Sequence, residues 1–453
     1  MNAQLVNDVH SRLNPTTVDE VARIVSLESI QAALARARKA GKPISICGGR
    51  HAMGGQQFCT GGLVLDTTRL ARVLALDLDR GTIEVEAGIQ WPALTRALDR
   101  CPLTFAQKQT GANNLSLGGA VSANVHGRGL TMRPFVDDID SLVVVGAAGR
   151  AVRCSRERNA DLFALVVGGY GLFGVVYSVT LRLVRRRIVE RVVQLTTIDE
   201  LADGFQQRIE EGFLYGDFQF AIDQHAETFL RDGVFSCYRP VTGRPIHAGQ
   251  RTLSAKDWRH LLELAHTEKS RAFDLYAQHY LATSGQLYLS DRHQLALYLD
   301  GYHDRIGVAG GEMITELYVP RGRLAAFMAG AADTLTRGRA NVIYGSVRLI
   351  ECDADSFLAW ARRPWACIVL NLHVHAGDDG ARHFRALIDL ALAESGSYYL
   401  TYHRHATRVQ AEAAHPRLRE FLARKREFDP DGVFQSDWYR QQVALFAEKQ
   451  RAA

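Results

Sequence analysis

Residues 48–62 read GGRHAMGGQQFCTGG, a glycine-rich segment. It carries Arg50 and His51 among its glycines. It follows the short apolar run PISIC (residues 43–47) and precedes a second strand-like run, Leu63–Asp66. Because glycine has no side chain to obstruct the backbone, such a loop at the end of a buried strand predicts close approach to a ligand or to another chain segment.

The flanking segments predict an α/β arrangement. Upstream of the loop, four apolar residues repeat at helical spacing before Gly41, at which the helix is expected to end: Ile30, Ala33, Leu34 and Ala37. Residues 1–70 therefore predict a βαβ unit. Downstream, residues 82–99 pair a strand with a helix that begins near Gln90, and residues 141–155 predict a hairpin that turns at Ala148–Gly149.

A second glycine-rich loop, GANNLSLGGAVSANVHGRG, covers residues 111–129 and contains Ser116, Ser122 and His126. Exposed backbone N–H groups of such loops can surround a buried anion such as a pyrophosphate. The alternative is that both loops are only tight connections in a large α/β domain. The loops by themselves leave the two interpretations equally open.

The run LFALVVGGYGLFGVVYSVTL (residues 162–181) contains no charge and is long enough to span a bilayer. It also contains Gly169, Gly171 and Gly174 in the GxGxxG spacing of dinucleotide-binding loops. Its second half, however, is rich in β-branched residues, alternates like a strand and continues into Arg185–Arg187. We therefore expect a turn followed by a strand, and neither a membrane span nor a Rossmann site.

Composition excludes several classes of protein. The chain has 453 residues and a net charge of +5, too small an excess to indicate a nucleic-acid or membrane partner. Its 7 cysteines are scattered and form no CxxC pair, which argues against a disulfide framework or a zinc ribbon. The N-terminus lacks the pattern of a secretory signal, and we expect a cytoplasmic protein.

Four motifs together resemble one flavoprotein family. The string GGRHAMGGQQFCTGGLVLD (residues 48–66) is similar to the first flavin loop of the vanillyl-alcohol-oxidase family, the PCMH-type FAD-binding oxidoreductases. LSLGGAVSANVHG (residues 115–127) resembles the second flavin loop. NADLFALVVGGYGLFGVV (residues 159–176) and FDPDGVFQSDW (residues 428–438) resemble two later family segments in the same order. In motif the chain is closest to cytokinin dehydrogenases and decaprenylphosphoryl-ribose oxidases.

The resemblance implies an α+β fold. It consists of a PCMH-type FAD-binding domain of two α/β subdomains, with an antiparallel-sheet substrate (cap) domain inserted into it. The implied boundaries are residues 1–187 for the FAD-binding domain and 188–395 for the cap domain. Residues 396–453 form a C-terminal segment that returns to the FAD-binding domain.

The resemblance also assigns residues to the cofactor, FAD. These residues come from the two loops and one following strand: Gly48, Gly49, Arg50, His51, Ala52, Gln56, Gly111, Ser116, Gly118, Gly119, Ser122, His126 and Val176. His51 stands where family members form an 8α-histidyl bond to the flavin, and we expect that link here. Arg50 and Ala52 depart from the closest pattern, which has glycine and often serine at these positions.

Candidate catalytic residues lie in the expected cap domain and just beyond it. Glu316 and Arg348 stand in apolar, strand-like runs, and rough alignment with decaprenylphosphoryl-ribose oxidases places them in the pocket. We expect both to orient the substrate. Tyr402, His373 or His403 is the candidate base, although each could equally be an edge residue facing water. Related aldonolactone oxidases would need a carboxylate where this chain has Ser346.

The implied function is removal of a hydride from a CH–OH group of a small alcohol or sugar-like substrate, with oxygen or another acceptor reoxidising the FAD. Two alternatives stay open at this stage. One is the dehydrogenase component of a sugar epimerase similar to decaprenylphosphoryl-ribose oxidase, and the other is a flavin-binding assembly protein without catalysis. No metal is expected, although the pairs His373/His375 and His403/His405 have chelate spacing.

Overall fold

The computed structural model describes residues 3–292, 310–375, 377–378 and 380–447. In the first part of the chain the strands are β1 (Gln4–Val6), β2 (Thr16–Val18), β3 (Glu20–Arg23), β4 (Ile44–Cys47), β5 (Leu63–Asp66), β6 (Val73–Asp77), β7 (Thr82–Glu86), β8 (Leu103–Thr104), β9 (Ile139–Val145), β10 (Ala151–Ser155), β11 (Val175–Arg182) and β12 (Val184–Arg185). The helices are α1 (Leu27–Lys39), α2 (Trp91–Ala97), α3 (Leu117–Ala123) and α4 (Ala160–Val166), with a 3₁₀ turn over Phe135–Asp138.

The βαβ unit predicted for the first 70 residues is confirmed. Strands β3, β5 and β4 form a parallel sheet in that order, and α1 connects β3 to β4. Ser26 caps α1 by accepting a hydrogen bond from the backbone N–H of Ser29. The four predicted apolar residues of α1 are buried, and Gly41 follows the helix with a φ of 60°. Residues 48–62 therefore leave the carboxyl end of β4.

A second sheet contains five strands in the order β10-β9-β11-β7-β6, all antiparallel. It includes the predicted hairpin, which is β9 and β10. The expectation of two α/β subdomains is thus met strictly only by the first one. Adjacent strands here, such as β6 and β7, are joined by short turns, whereas parallel strands would need long crossover connections.

The apolar run over residues 162–181 divides between α4, a glycine turn and β11. Within the described part of the chain, no helix is both long and apolar enough to cross a membrane. The expected turn and strand are therefore confirmed, and GxGxxG does not open a helix. Gly174 has a φ of 138°, and a side chain there would collide with Val144 and Val145 of β9.

The later strands are β13 (Ile188–Thr197), β14 (Tyr215–Phe220), β15 (Asp232–Val241), β16 (Leu287–Leu289), β17 (Gly310–Val319), β18 (Asn341–Ile350), β19 (Trp365–His375) and β20 (Ser397–Tyr398). The helices are α5 (Ile198–Glu210), α6 (Ala255–Thr267), α7 (Lys269–Ala282), α8 (Leu324–Gly338), α9 (Ala381–Ala393), α10 (Arg408–Ala414), α11 (Leu418–Phe428) and α12 (Asp437–Phe446). Together the two parts give an α+β protein.

These eight strands form one antiparallel sheet in the order β16-β13-β15-β14-β18-β19-β17-β20. One face is apolar and packs against α5, α8 and α9 through side chains such as Leu201, Phe205 and Phe327. The opposite face carries Glu316 and Arg348, because residues of one strand alternate between the two faces. Helices α6 and α7 cover this second face where it reaches β13, β15 and β18.

The C-terminal segment is attached to the first sheet by a buried carboxylate. Asp429 accepts hydrogen bonds from the backbone N–H groups of Val433 and Phe434, and its Oδ2 lies 2.5 Å from the Nζ of Lys425. Both charged side chains are almost completely buried. The turn so formed places Val433 and its neighbours beside Ile44 of β4, with which they exchange backbone hydrogen bonds. The tail therefore supports the strand from which residues 48–62 emerge.

Replacing Asp429 by asparagine is expected to lower the free energy of unfolding by about 3–5 kcal/mol, because it leaves the buried Lys425 ammonium without a counter-charge. Urea denaturation followed by circular dichroism measures the change. Asp431, an exposed carboxylate on the same turn, supplies the control Asp431→Asn, which should stay close to wild type. Equal midpoints for the two variants would show that the buried pair does not hold the tail.

Candidate active site

One cavity lies between the two glycine-rich loops and the polar face of the large sheet. It is lined by all thirteen residues that the family resemblance assigns to the cofactor. Glu316, Arg348 and Tyr402 line the same cavity. Residues from three distant parts of the sequence thus meet at one place, although nothing in their order along the chain requires it.

The two loops are in direct contact, which explains the glycines at the start of the first loop. A Cβ atom on Gly48 would lie 2.0 Å from the Oγ of Ser116, and one on Gly49 would lie 2.1 Å from the carbonyl oxygen of Asn114. Distances this short are impossible for real atoms, so only glycine fits at either position. Ser116 is held in place because its Oγ accepts a hydrogen bond from the N–H of Gly119 and caps α3.

His51 is held as a neutral imidazole at the edge of this contact. Its Nδ1 lies 2.8 Å from the Nε2 of His10, and the backbone of Asn114 in the second loop offers the ring a further hydrogen bond. Burial, together with the nearby His10, lowers the pKa of His51 to about 3. At neutral pH the ring is therefore uncharged, and a neutral ring keeps one nitrogen lone pair available for bonding.

The residues present suit a flavin dinucleotide. The facing loops offer a narrow cleft walled largely by backbone, which matches a ligand with buried phosphates. The neutral ring of His51 lines the same cleft. The C-terminal segment completes the cleft, because the side-chain amide of Gln56 donates to the carbonyl oxygen of Leu400 and the N–H of Gly54 donates to that of Thr401.

Glu316 is the best-connected group on the sheet side of the cavity. Its Oε1 contacts the Nε2 of His126 and accepts a hydrogen bond of 3.0 Å from the Sγ of Cys367. The Nδ1 of His126 lies 3.1 Å from the carbonyl oxygen of Gly127, an acceptor, so this nitrogen carries a hydrogen. Burial alone would raise the pKa of Glu316, but His126 and Cys367 outweigh it and lower that pKa.

Arg348 brings a buried positive charge to the same cavity. Its side chain is 7% exposed, and its Nε has no hydrogen-bond partner in the described structure. Burial alone would lower its pKa, but Tyr344, Asp217 and other groups outweigh burial and raise the pKa further. The guanidinium therefore remains charged and can bind an oxygen atom that carries or develops negative charge.

Tyr402 is a hydrogen-bond donor in this arrangement. Burial, followed by the charge of Glu316 and a hydrogen bond to that carboxylate, raises the pKa of the phenol well above its usual value of about 10. Tyr402 therefore stays protonated at physiological pH. The hydroxyl group of Tyr402 therefore donates to Glu316, and its expected role as a base stays a prediction.

The two histidines considered as alternative bases lie outside the cavity. His373 shares the polar face of the sheet but lies against His266 and Glu312, and it does not line the cavity. His403 packs beside Thr315, which alternates with Glu316 and so points to the opposite face of β17. Its ring is buried near Phe384 and Tyr398. The chelate spacing of the HxH pairs does not bring either pair to the cavity.

Three residues of the site were not predicted from the sequence: Cys367, Tyr344 and His10. Cys367 could have been found from the sequence, because it lies on the same face of β19 as Asn371 and His373. His10 belongs to a segment without recognisable pattern, and only the folded chain brings it to His51.

Comparison with known proteins identifies one matching family and several relatives. The family described as FAD binding domain matches residues 18–155. L-gulonolactone oxidase of Bos taurus is 26% identical over 218 residues, which is 48% of this chain and 47% of that protein. An uncharacterized oxidoreductase, ORF5 in the fasciation locus of Rhodococcoides fascians, is 34% identical over 186 residues, 40% of each chain. The chain thus spans about half the length, or less, of these relatives.

One relative aligns over almost the whole chain. L-gulono-1,4-lactone dehydrogenase of Mycobacterium tuberculosis strain ATCC 25618 / H37Rv is 25% identical over 435 residues, 94% of each protein. The similarity therefore extends through the large sheet as well as through the glycine-rich loops.

Proposed function

We propose that the chain is a PCMH-type FAD-binding oxidoreductase that oxidises a CH–OH group of a small alcohol or sugar-like substrate with FAD as its cofactor, as its match to the FAD binding domain family and its similarity to sugar-lactone oxidoreductases suggest. The observation that carries this proposal is the single cavity lined by both glycine-rich loops and by Glu316 and Arg348. In this cavity bound FAD supplies a two-electron acceptor for the hydride that leaves the substrate carbon.

The cofactor would be held mainly by backbone. The closely packed loops at Gly48 and Ser116 would hold its pyrophosphate, and Val176 of β11 would contact it. His51 would form the 8α-histidyl link. Its place in the cavity lining and its neutral ring support this assignment, because an imidazolium has no lone pair with which to form the bond.

The substrate hydroxyl would lie between Arg348 and Glu316. Arg348 stabilises negative charge on the substrate oxygen as the C–H bond breaks. Glu316 is the ionised carboxylate in the cavity and would accept the hydroxyl proton. His126 and Tyr402 are positioning residues, because each holds Glu316 by a hydrogen bond. We therefore propose Glu316 as the base in place of Tyr402, His373 and His403.

The sheet surrounding these residues would be the substrate domain, with a boundary near residues 185–190. The names of the curated relatives point to sugar lactones as one substrate class to test. At the position where aldonolactone oxidases are expected to carry a carboxylate, this chain has the buried Ser346.

Acid precipitation of the purified protein tests the link at His51. The wild-type pellet is expected to stay yellow, whereas His51→Ala should release all of its flavin to the supernatant because the attachment point is gone. The exposed His247 provides the control His247→Ala, which should behave as wild type. Yellow colour found only in the wild-type supernatant would disprove covalent attachment.

Arg348→Met is expected to slow anaerobic flavin bleaching by an alcohol donor by about 100-fold or more, because the charge that stabilises the substrate oxygen is lost. Stopped-flow absorbance measures the rate with alcohols, sugars and L-gulono-1,4-lactone. Arg337→Met, on an exposed face of α8, is the matched control. An unchanged rate in Arg348→Met would remove this residue from the mechanism. Failure of every donor to bleach the bound flavin would favour a protein without catalysis.

The pH profile of bleaching distinguishes Glu316 from Tyr402 as the base. The lowered pKa of Glu316 keeps it ionised at neutral pH, so the rate should be constant from about pH 5 to 9. With a phenolate base the rate would instead rise about tenfold per pH unit over this range, because the pKa of Tyr402 lies above it. Glu316→Gln should abolish bleaching, while Tyr402→Phe should slow it and keep the flat profile.

A further inference from the structure

A second cavity opens beside the first. It has a volume of about 410 Å³, within the range of about 300–1,000 Å³ that is usual for pockets that take drug-sized ligands. It lies between the polar face of the large sheet and the helices α6 and α7. Both cavities are lined by Thr110, Gly111, Ile314, Tyr344 and Asn371, so they share a rim. We call this second cavity the chamber.

The helical wall of the chamber is apolar. Helix α6 contributes Trp258, Leu261 and Leu262, and α7 contributes Phe273 and Tyr276. A free sugar lactone with hydroxyl groups along its whole length would leave several of them without partners against this wall. Each buried, unpaired hydroxyl weakens binding. The chamber therefore favours an apolar, ring-sized group over a polyol.

The far end of the chamber carries a buried arginine. Arg191 is 9% exposed, and its guanidinium lies 4.7 Å from the ring centre of Tyr288 and 4.9 Å from that of Tyr280. Its Nε donates to the hydroxyl group of Tyr238 and its Nη1 to that of Thr283. No aspartate or glutamate of the described chain forms an ion pair with it. A buried cation that meets only neutral groups provides a site for an anion.

The position of Arg191 sets the length of the ligand. Arg191 lies on β13 and Arg348 on β18, and the strand order places β15 and β14 between them. Three spacings of about 4.8 Å between neighbouring strands separate the two arginines by roughly 14 Å. A molecule that reaches both would place its hydroxyl group at Arg348 and its anion at Arg191.

We propose that the chamber binds the non-reacting part of the substrate, an apolar ring system that ends in a carboxylate or similar anion held by Arg191. This inference rests on the proposed function, since it identifies the class of alcohol that would be oxidised: an elongated hydroxy acid with an aromatic or alicyclic body. Apolar burial along α6 and α7 supplies affinity, and the anion selects the orientation that directs the hydroxyl group to Glu316 and Arg348.

Two probes of equal shape test the proposal without turnover. Biphenyl-4-carboxylate and biphenyl-4-carboxamide differ in charge and have the same two rings. Isothermal titration calorimetry of the flavin-loaded protein is expected to show binding of both, with the carboxylate about tenfold tighter or more. Equal affinities, or no binding of either probe at millimolar concentration, would overturn the proposal.

Single substitutions test which residues of the chamber bind the two probes. Arg191→Met should reduce the affinity for the carboxylate to that for the amide and leave the amide unchanged. Leu262→Asp should lower the affinity for both probes, because it places a charge on the apolar wall. Leu275→Asp, on the exposed side of α7, should leave both affinities unchanged. Tenfold selectivity for the carboxylate that survives in Arg191→Met would overturn the assignment of the anion to this residue. The Leu262→Asp result tests the chamber even if Arg191→Met does not fold.

The outcome is independent of the oxidation test. If no alcohol bleaches the flavin but the selectivity for biphenyl-4-carboxylate persists in the wild type and is lost in Arg191→Met, the proposed oxidation fails and the ligand class of the chamber stands. If alcohols bleach the flavin but the two probes bind equally, the present inference fails and the proposed oxidation stands.

Discussion

The direct contact between the two glycine-rich loops is the constraint on which the rest of the site depends. Gly48 and Gly49 meet Ser116 and Asn114 at distances that leave no room for a Cβ atom. The first loop leaves the parallel sheet, and the second carries α3 from the neighbouring unit. Their contact therefore brings two sheets together along a narrow cleft. The buried Asp429 adds the C-terminal tail behind β4, so that the strand carrying the first loop is supported from both sides.

The large sheet is joined to this cleft by Glu316. Its hydrogen bonds reach His126 on the second loop, Cys367 on β19 and Tyr402 in the C-terminal segment. A buried carboxylate is stable only when its charge is compensated, so these partners must be in place together. The same constraint aligns the polar face of the sheet with the cleft and, through their common rim, with the apolar chamber beneath α6 and α7.

Local patterns were reliable guides to the first part of the chain. The spacing of Ile30, Ala33 and Leu34 predicted α1, and the alternation after Gly174 predicted β11. Both signals arise from which side chains are buried along one element. The antiparallel order of the second sheet was harder to predict from the sequence, because strand direction depends on partners that are distant along the chain. His403 illustrates the same difficulty, since a single step along β17 separates the face with Glu316 from the face on which His403 packs.

The glycine loops, the elements beside them and the resemblance to a flavoprotein family could all be predicted from the sequence, because these depend on short-range spacing and on backbone that tolerates no side chain. Only the tertiary structure decided which polar groups share the cavity, why Tyr402 donates to Glu316, and where His373 lies. It alone placed Arg191 among tyrosines at the far end of the chamber. Burial and charge pairing set the chemistry of these residues, and both arise from contacts between segments that are remote along the chain.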